Sequence, residues 1–390
     1  MKHNYLLLMA IAFVLSLAFA GCKKQEQETL TPKIKNDKVE TTATTATFTW
    51  TVDWPGKLIS VVEVSENEDM SDSQFYGSET ETDNHNFSVT VSDLKEGTKY
   101  YYRYLVWNMF YVENKFSFEA KELVTGIGAY RGLFTINGSG DKVFFSQGNL
   151  QYFGSANTPY WKFAECQWDC LGDNGQGSVS QTLDRDLFGW GTSGYNHGAV
   201  CYQPWSTNCD SENYRAYGHR YCNLYDQTGQ ADWGYNAISN GGNQIGLWRT
   251  LTLEEWNYLI DTRSTKSGIR YVKGKINDIC GIILLPDSWM ENCYPLNAAN
   301  NPDVDFDKNR MSFAQWNVLE QHGAIFLPAT GYRDGTSVSS SNGFAYYWLS
   351  TCDEPFDSAY FIVISSGYFG SGRASGRSTG SFVRLVRDVE

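Results

Sequence analysis

Four sets of side chains in this chain have types and spacings that could do chemistry. The first is Cys22, which follows an apolar run from Tyr5 to Phe19 and the small pair Ala20-Gly21, with Lys2 ahead of the run. A run that short, closed by small residues before a cysteine, fits a lipoprotein signal peptide over residues 1–21; cleavage would free the thiol and amine of Cys22 for lipidation. Phe19 stands where Leu is usual, and an ordinary signal peptide or a short anchor helix is the alternative. The second set is Asp303-x-Asp305-x-Asp307, three carboxylates at alternate positions. An EF-hand loop would want Gly at 308 and Glu at 314, where Lys308 and Ala314 stand. An acidic turn favoured by the dipole of a helix after Ser312 is therefore expected, with a structural calcium as the alternative. The third is Cys166-x-x-x-Cys170, which has no His or second Cys pair beside it to complete a zinc set. The other cysteines are Cys201, Cys209, Cys222, Cys280, Cys293 and Cys352. Export permits disulfides, but spacing cannot choose among the pairings. No two of His3, His85, His197, His219 and His322 fall at His-x-x-x-His spacing, and no Gly-x-Ser-x-Gly elbow or phosphate loop occurs. The expectation is no metal, no cofactor and no catalysis.

The fourth set is the C-terminal segment Phe356 to Phe382, which contains no Lys, Glu, Gln, Met or Trp. Those five types are the ones that no codon ending in a pyrimidine encodes, so adenine-directed mutagenesis of Asn codons would leave this depletion. A Ser/Gly-rich β meander that disfavours long charged side chains would leave it too, and both readings stand. Within the segment, Ile362 and Ile364 share one face of a strand, and Phe361, Val363 and Ser365 share the other. If the isoleucines are core, the alternate face points outward as an apolar contact patch. Ser and Gly alternate with Tyr360, Tyr368, Phe369, Arg373 and Arg377, the composition of antibody binding loops. The candidate ligand-binding residues are Phe344, Tyr346, Phe356, Asp357, Phe361, Val363, Ser365, Tyr368, Arg373 and Ser375. Tyr360 and Phe382 are expected to be buried.

These residues need a frame. The chain has 390 residues, a formal net charge of −13 and 15% aromatics. That predicts a packed, loop-rich globular protein of two or three domains. The acidic balance excludes a nucleic-acid partner, since counterion release needs a basic surface. Past the leader, no stretch approaches the about 18 apolar residues of a membrane helix. Residues 22–37 read as a solvated tether. In 38–126, Thr41–Val52 alternates Ala46, Phe48, Trp50 and Val52 against threonines, and β signals recur over Lys57–Val64 and Asn86–Val91. Leu94-Lys95-Glu96-Gly97-Thr98-Lys99 then leads into Tyr100, Tyr102, Tyr104 and Val106 on one face. A turn followed by a Tyr at a strand start resembles the tyrosine corner of fibronectin type III and related β-sandwiches. In 127–390 the strands are short and two helices are signalled by capping boxes, Thr252 with Glu255 and Ser312 with Gln315. Leu253, Trp256, Leu259 and Ile260 are to face inward on the first, and Phe313, Trp316 and Leu319 on the second, with Gly323 as its stop. Gly281–Pro286 and Gly323–Pro328 read as two strands that end alike.

Leu247-Trp248-Arg249-Thr250-Leu251-Thr252-Leu253-Glu254-Glu255-Trp256 is similar to the helix opening of formylglycine-generating-enzyme-like domains of the C-type lectin fold. Ser381-Phe382-Val383-Arg384-Leu385-Val386-Arg387 resembles their closing strand. Asp186 to Tyr195 and Tyr347-Trp348-Leu349-Ser350-Thr351 resemble a Bacteroidetes and Fibrobacter branch of that family, some of whose members are variable proteins of diversity-generating retroelements. The resemblance implies a mostly β chain: an immunoglobulin/fibronectin III-like sandwich, then an α+β C-type-lectin-like domain over 127–390. The family's oxidases hold copper with two cysteines near the domain's C-terminal end, where this chain has only Cys352. Its iron-dependent sulfoxide synthases need clustered histidines. Sugar-binding C-type lectins share a calcium through Glu-Pro-Asn-like and Trp-Asn-Asp triplets. Here Glu354-Pro355-Phe356 lacks the amide and Trp316-Asn317-Val318 lacks the acid.

The expectation is a non-catalytic lipoprotein of the cell envelope, on the outer membrane and cell surface, displaying a C-terminal surface to a protein or glycan on another cell, phage or host. A glycan-binding accessory lipoprotein or adhesin is the second reading, and a formylglycine-generating-enzyme-like modifying enzyme is the third.

Overall fold

A computed structural model describes residues 31–41, 45–95, 98–108, 115–126, 128–130, 132–172, 177, 182–195, 210–354 and 356–389. Cys22 and the leader, Cys201, Cys209 and Pro355 lie outside the described residues. The described chain is mostly β, in six sheets. It divides into two compact units, and the larger one holds the stretch from Glu122 onward.

The strands of the first part follow the alternation in its sequence. β1 (Lys33–Thr41), β2 (Ala46–Asp53) and β5 (Asn86–Val91) form one sheet; β4 (Gln74–Tyr76), β3 (Ile59–Ser65), β6 (Lys99–Trp107) and β7 (Phe116–Ser117) form another, with β8 (Lys121–Val124) also pairing β6. Phe48, Trp50 and Val52 are buried from one sheet, and Tyr102, Tyr104 and Val106 from the other. Trp50 packs on Tyr104 at 4.6 Å between ring centroids and stacks on Phe87 at 5.3 Å. Its indole N–H donates to Ser60 Oγ at 2.8 Å, so the largest core side chain leaves no buried donor unpaired. Lys95 N–H donates to Tyr100 Oη at 2.8 Å, closing the corner before β6. One expectation is corrected here: residues 33–37 are strand, not tether. The half-buried Asp37 accepts from Tyr104 Oη at 2.6 Å and pairs with Lys121, which ties this polar stretch to the sheet.

In the larger unit, β9 (Phe134–Thr135), β10 (Lys142–Phe145), β23 (Leu385–Asp388) and β13 (Arg249–Thr250) form a sheet in which the chain's last strand pairs antiparallel with β10. β11 (Leu150–Phe153) and β12 (Tyr160–Phe163) form a hairpin. β16 (Arg310–Met311), β14 (Tyr271–Ile276), β15 (Ile279–Leu284) and β17 (Ile325–Pro328) form another sheet, in which the two like-ended segments pair antiparallel with Gly281 opposite Pro328. Both capping boxes form: Thr252 accepts from Glu255 N–H ahead of α1 (Leu253–Asn257), and Ser312 from Gln315 N–H ahead of α2 (Phe313–Gln321). Trp256, Leu259, Ile260, Trp316 and Leu319 are buried as their spacing requires. Phe313 is not: it is 36% exposed, because the first residue of a helix lies at its rim, and it packs on Trp168 instead. Gly323 ends α2 with φ +86°, a left-handed stop.

The sheet that matters most is β19 (Ser337–Ser339), β18 (Thr330–Asp334), β20 (Phe344–Asp353), β21 (Ser358–Ser365) and β22 (Tyr368–Gly376), in that order. It has core on both faces. Tyr347, Leu349, Ile362 and Ile364 face a cluster with Trp256 and Ile282. Trp348, Phe361 and Val363 face a second cluster built on Trp161, Trp190, Trp233 and Trp248. Residues 186–195 and 347–351 interlock beneath this sheet. Trp190 Nε1 donates to Leu349 O at 2.8 Å, and Trp348 Nε1 donates to Phe188 O at 2.7 Å. No helix of the described residues is long and apolar enough to cross a membrane.

Candidate ligand-binding site

The alternation of β21 fixes what its second face can be. Ile362 and Ile364 are fully buried, as expected. Phe361 and Val363 are not exposed on the other face, as expected of a contact patch, but are 5% and 7% exposed. A strand that is apolar at successive positions is core on both sides, and alternation alone cannot mark which side meets water. The pair is nevertheless not sealed. It floors a cavity of about 550 Å³, within the size range of small-ligand pockets.

The cavity is assembled from three neighbouring strands by cross-strand pairing. Tyr346 of β20 stands opposite Val363, and Trp348 opposite Phe361. Directly opposed residues share a face, so Phe344 and Tyr346 rise beside the floor as one wall. On the other side Ser365 opposes Tyr368 and Val363 opposes Gly370. The register then shifts, and Phe361 opposes Arg373 and Ala359 opposes Ser375. That bulge, with Gly372 at φ +80°, changes which residues of β22 face the floor. Ahead of it the even positions Tyr368 and Gly370 share the face; after it Arg373 and Ser375 do. The phenol of Tyr368 folds over Gly370, where a Cβ would lie 3.0 Å from its Oη. The Arg373 guanidinium lies over the Tyr368 ring at 4.8 Å, a cation–π contact that holds it at the rim.

The aromatic wall is packed edge to face. Phe344 and Tyr346 meet at 4.9 Å and 82°, and Tyr346 and Phe361 at 4.5 Å and 61°. Burial raises the Tyr346 phenol above its ordinary value, Tyr332 adds to this and Arg373 opposes it, so the guanidinium acts across the cavity on that hydroxyl.

Eight of the ten predicted residues thus line one cavity: Phe344, Tyr346, Phe361, Val363, Ser365, Tyr368, Arg373 and Ser375. Phe356 and Asp357 do not. Phe356 is 65% exposed away from the lining. Asp357 is a structural latch. Arg215 Nε donates to both its oxygens at 3.0 and 3.3 Å, and the fully buried Arg377 lies 3.4 Å away. Burial pushes the Asp357 carboxyl up, but the hydrogen bond from Arg215 and the Arg377 charge win and hold it below the usual carboxylate range. Arg377, read from sequence as a surface side chain, instead donates to Ser358 O and Arg220 O and packs on Trp190. Tyr360 is half-buried with its hydroxyl on Asp353, and Phe382 is buried. Sequence reasoning missed Ala374, and Tyr332, whose ring lies 5.3 Å from that of Tyr346. The signal for Tyr332 was Gly331, at φ +125° with Ser339 O where a Cβ would go; it lets two strands meet closely and sets Tyr332 beside β20.

The remaining chemistry-bearing sets have local partners. Asp305 caps the turn at Phe306 by accepting from Asp307 N–H at 2.8 Å, and Asp307 pairs with Lys275 and Arg310. Cys170 Sγ accepts from Thr330 at 3.0 Å, and burial pushes its thiol well up. Among the described residues, Cys166, Cys170, Cys222, Cys280, Cys293 and Cys352 form no disulfide. Among the described residues no three metal-ligating side chains gather.

No protein-family model and no curated protein matches the chain. Two solved structures of the sensor domain of the anti-sigma factor RsgI4 from Pseudobacteroides cellulosolvens, a longer and a shorter form, align over 25% of this chain. The longer form is 23% identical with 88% of its chain covered, the shorter 22% identical with 93% covered, each at a TM-score of 0.19. Overlaps that weak carry no argument about fold or function.

Proposed function

We propose that this is a non-catalytic binding protein that holds its ligand in the cavity over β21. The observation that carries the proposal is that cavity: an aromatic wall and apolar floor on a rigid tryptophan-rich core, with a few hydroxyls and one cation at the rim. Such a site recognises by shape and apolar burial and has no nucleophile–base pair to transform what it binds. The strand order β1-β2-β5 against β4-β3-β6-β7, with the Tyr100 corner, supports a fibronectin III-like sandwich. The capped helix α1, the interlocked motifs and the closing strand β23 support a C-type-lectin-like unit. In this reading Cys22 carries a lipid, the sandwich is a spacer, and the cavity is presented at the outer surface to a protein or glycan of another cell, phage or host.

The test screens the full-length chain and its Phe344→Ala/Tyr346→Ala variant on a peptide array and a glycan array. Selective hits that the variant loses are expected. No hits, or hits shared equally by the two proteins, overturn the site. Stoichiometric copper or iron in the purified protein would turn the reading to a modifying enzyme. Lipid incorporation lost on Cys22→Ser tests the anchor.

A further inference from the structure

We infer that the cavity receives an acidic peptide segment, seating an apolar side chain on Phe361 and Val363 and a carboxylate on Arg373. This rests on the binding reading above and specifies its ligand.

The first ground is charge. Arg103, Arg215, Arg249, Arg263 and Arg310 each hold a carboxylate of this chain. Arg373, like Arg220, Arg270 and Arg384, holds none among the described residues, and of these four it is the one that lines the cavity. The residue is exposed, its guanidinium lies over the Tyr368 ring, and it borders a cavity without one acidic lining side chain. An exposed guanidinium without an ion pair matches a planar carboxylate from outside. The second ground is the floor. A carboxylate alone does not need a floor of Phe361 and Val363 walled by Phe344 and Tyr346; an apolar side chain beside it does.

The same lining disfavours a glycan. Vicinal sugar hydroxyls are held by planar amides and carboxylates, and the lining has no Asn, Gln, Asp or Glu. The rings meet one another at 61° to 82°, so they present edges and not one flat platform for a sugar face.

The test uses the full-length chain in detergent against hexapeptides that place Leu, Ile, Phe or Trp beside Asp or Glu. Each has an Asn or Gln counterpart, and trigalacturonate is the carboxylated glycan. At least one acidic peptide is expected to bind about 10-fold tighter than its amide counterpart, and more weakly as NaCl rises. Arg373→Gln should bring the acid-to-amide ratio close to one by weakening the acidic peptide more than its amide counterpart; Arg373→Lys should restore part of the ratio. Saturable peptide binding that is lost on Tyr346→Ala but is indifferent to amidation overturns the carboxylate alone. Trigalacturonate binding tighter than every peptide overturns the peptide. No saturable binding of any probe overturns this inference together with the binding reading.

Discussion

The hairpin of β21 and β22 is fixed at its two ends by buried cations of opposite design. At its base Arg377 sits by the carboxylate of Asp357, which Arg215 also holds, and Arg377 meets two backbone carbonyls besides. At its tip Lys273 is fully buried with no ion pair among the described residues. Its Nζ donates to Ser366 O at 2.7 Å and Pro302 O at 3.0 Å and lies over the Phe306 ring. Between the two, Arg373 stands exposed over the cavity. Three cations on or against one hairpin therefore have three roles: one neutralised by the fold, one desolvated by it, and one left open. The difference comes from what the neighbouring strand and loop place opposite each charge, not from residue type.

The largest expected effect breaks the base. Asp357→Ala leaves the Arg377 charge buried without its anion, and the expected loss is about 4 kcal/mol of unfolding free energy at pH 7, read by urea denaturation. The pH dependence has a definite sign. The carboxyl is held below its unfolded value, so its contribution is present above the unfolded pKa and disappears as pH falls through the lower folded one. Wild type should converge on the variant in acid. Equal stability of the two proteins at pH 7 would refute the latch.

Next comes the floor. Phe361→Ala removes a ring packed against Tyr346 and Trp348 and is expected to cost about 3 kcal/mol. Phe344→Ala, at the half-buried wall, is expected to cost about 1 kcal/mol by the same measurement. If the two cost the same, Phe361 is no more core than the wall, and the cavity is shallower than described.

How much of this is legible in the sequence follows the same logic. Both capping boxes, the alternation of β2 and β6, and the two Gly-to-Pro strands are local patterns, and local patterns survive translation into structure; that those two strands pair with each other is a tertiary fact. Composition and alternation name the cavity residues, yet they misjudge their exposure. Inward Ile362 and Ile364 make Phe361 and Val363 look outward, and nothing in β21 itself says that Trp190 and Trp233, more than a hundred residues earlier, cover the other side. Arg373 and Arg377 are indistinguishable in sequence. The bulge at Gly372 and the carboxylate of Asp357 separate them, and both are facts of tertiary pairing. Residues 33–37 look like tether because an edge strand can carry mostly polar side chains, here all but Ile34.

The tip responds to alkali where the base responds to acid. Burial is the main cause that lowers the Lys273 ammonium from 10.5 to about 8, while Asp305, Asp303 and Cys280 nearby act the other way. Between those values the unfolded chain keeps a proton that the folded chain has released, so the contribution of Lys273 to stability rises with pH across that window. Lys273→Met leaves the carbonyls of Ser366 and Pro302 unpaired, and is expected to cost about 1 kcal/mol at pH 7. The gap from wild type should widen between pH 8 and 10, read by denaturation at each pH. A gap that narrows instead would mean that the lysine is stabilised as a cation.

Arg373 should have the smallest effect on stability. It has no ion pair among the described residues and meets the Tyr368 ring from an exposed position, with an electrostatic effect on the Tyr346 hydroxyl, so Arg373→Ala is expected to cost about 0.5 kcal/mol or less in unfolding free energy. That smallness is what separates it from Arg377, whose replacement by Ala should cost several-fold more. A residue that contributes little to the fold, yet stands over the cavity, has its energetic consequence outside the chain. If Arg373→Ala instead destabilises as much as Arg377→Ala, the guanidinium belongs to the frame and the cavity loses its cation.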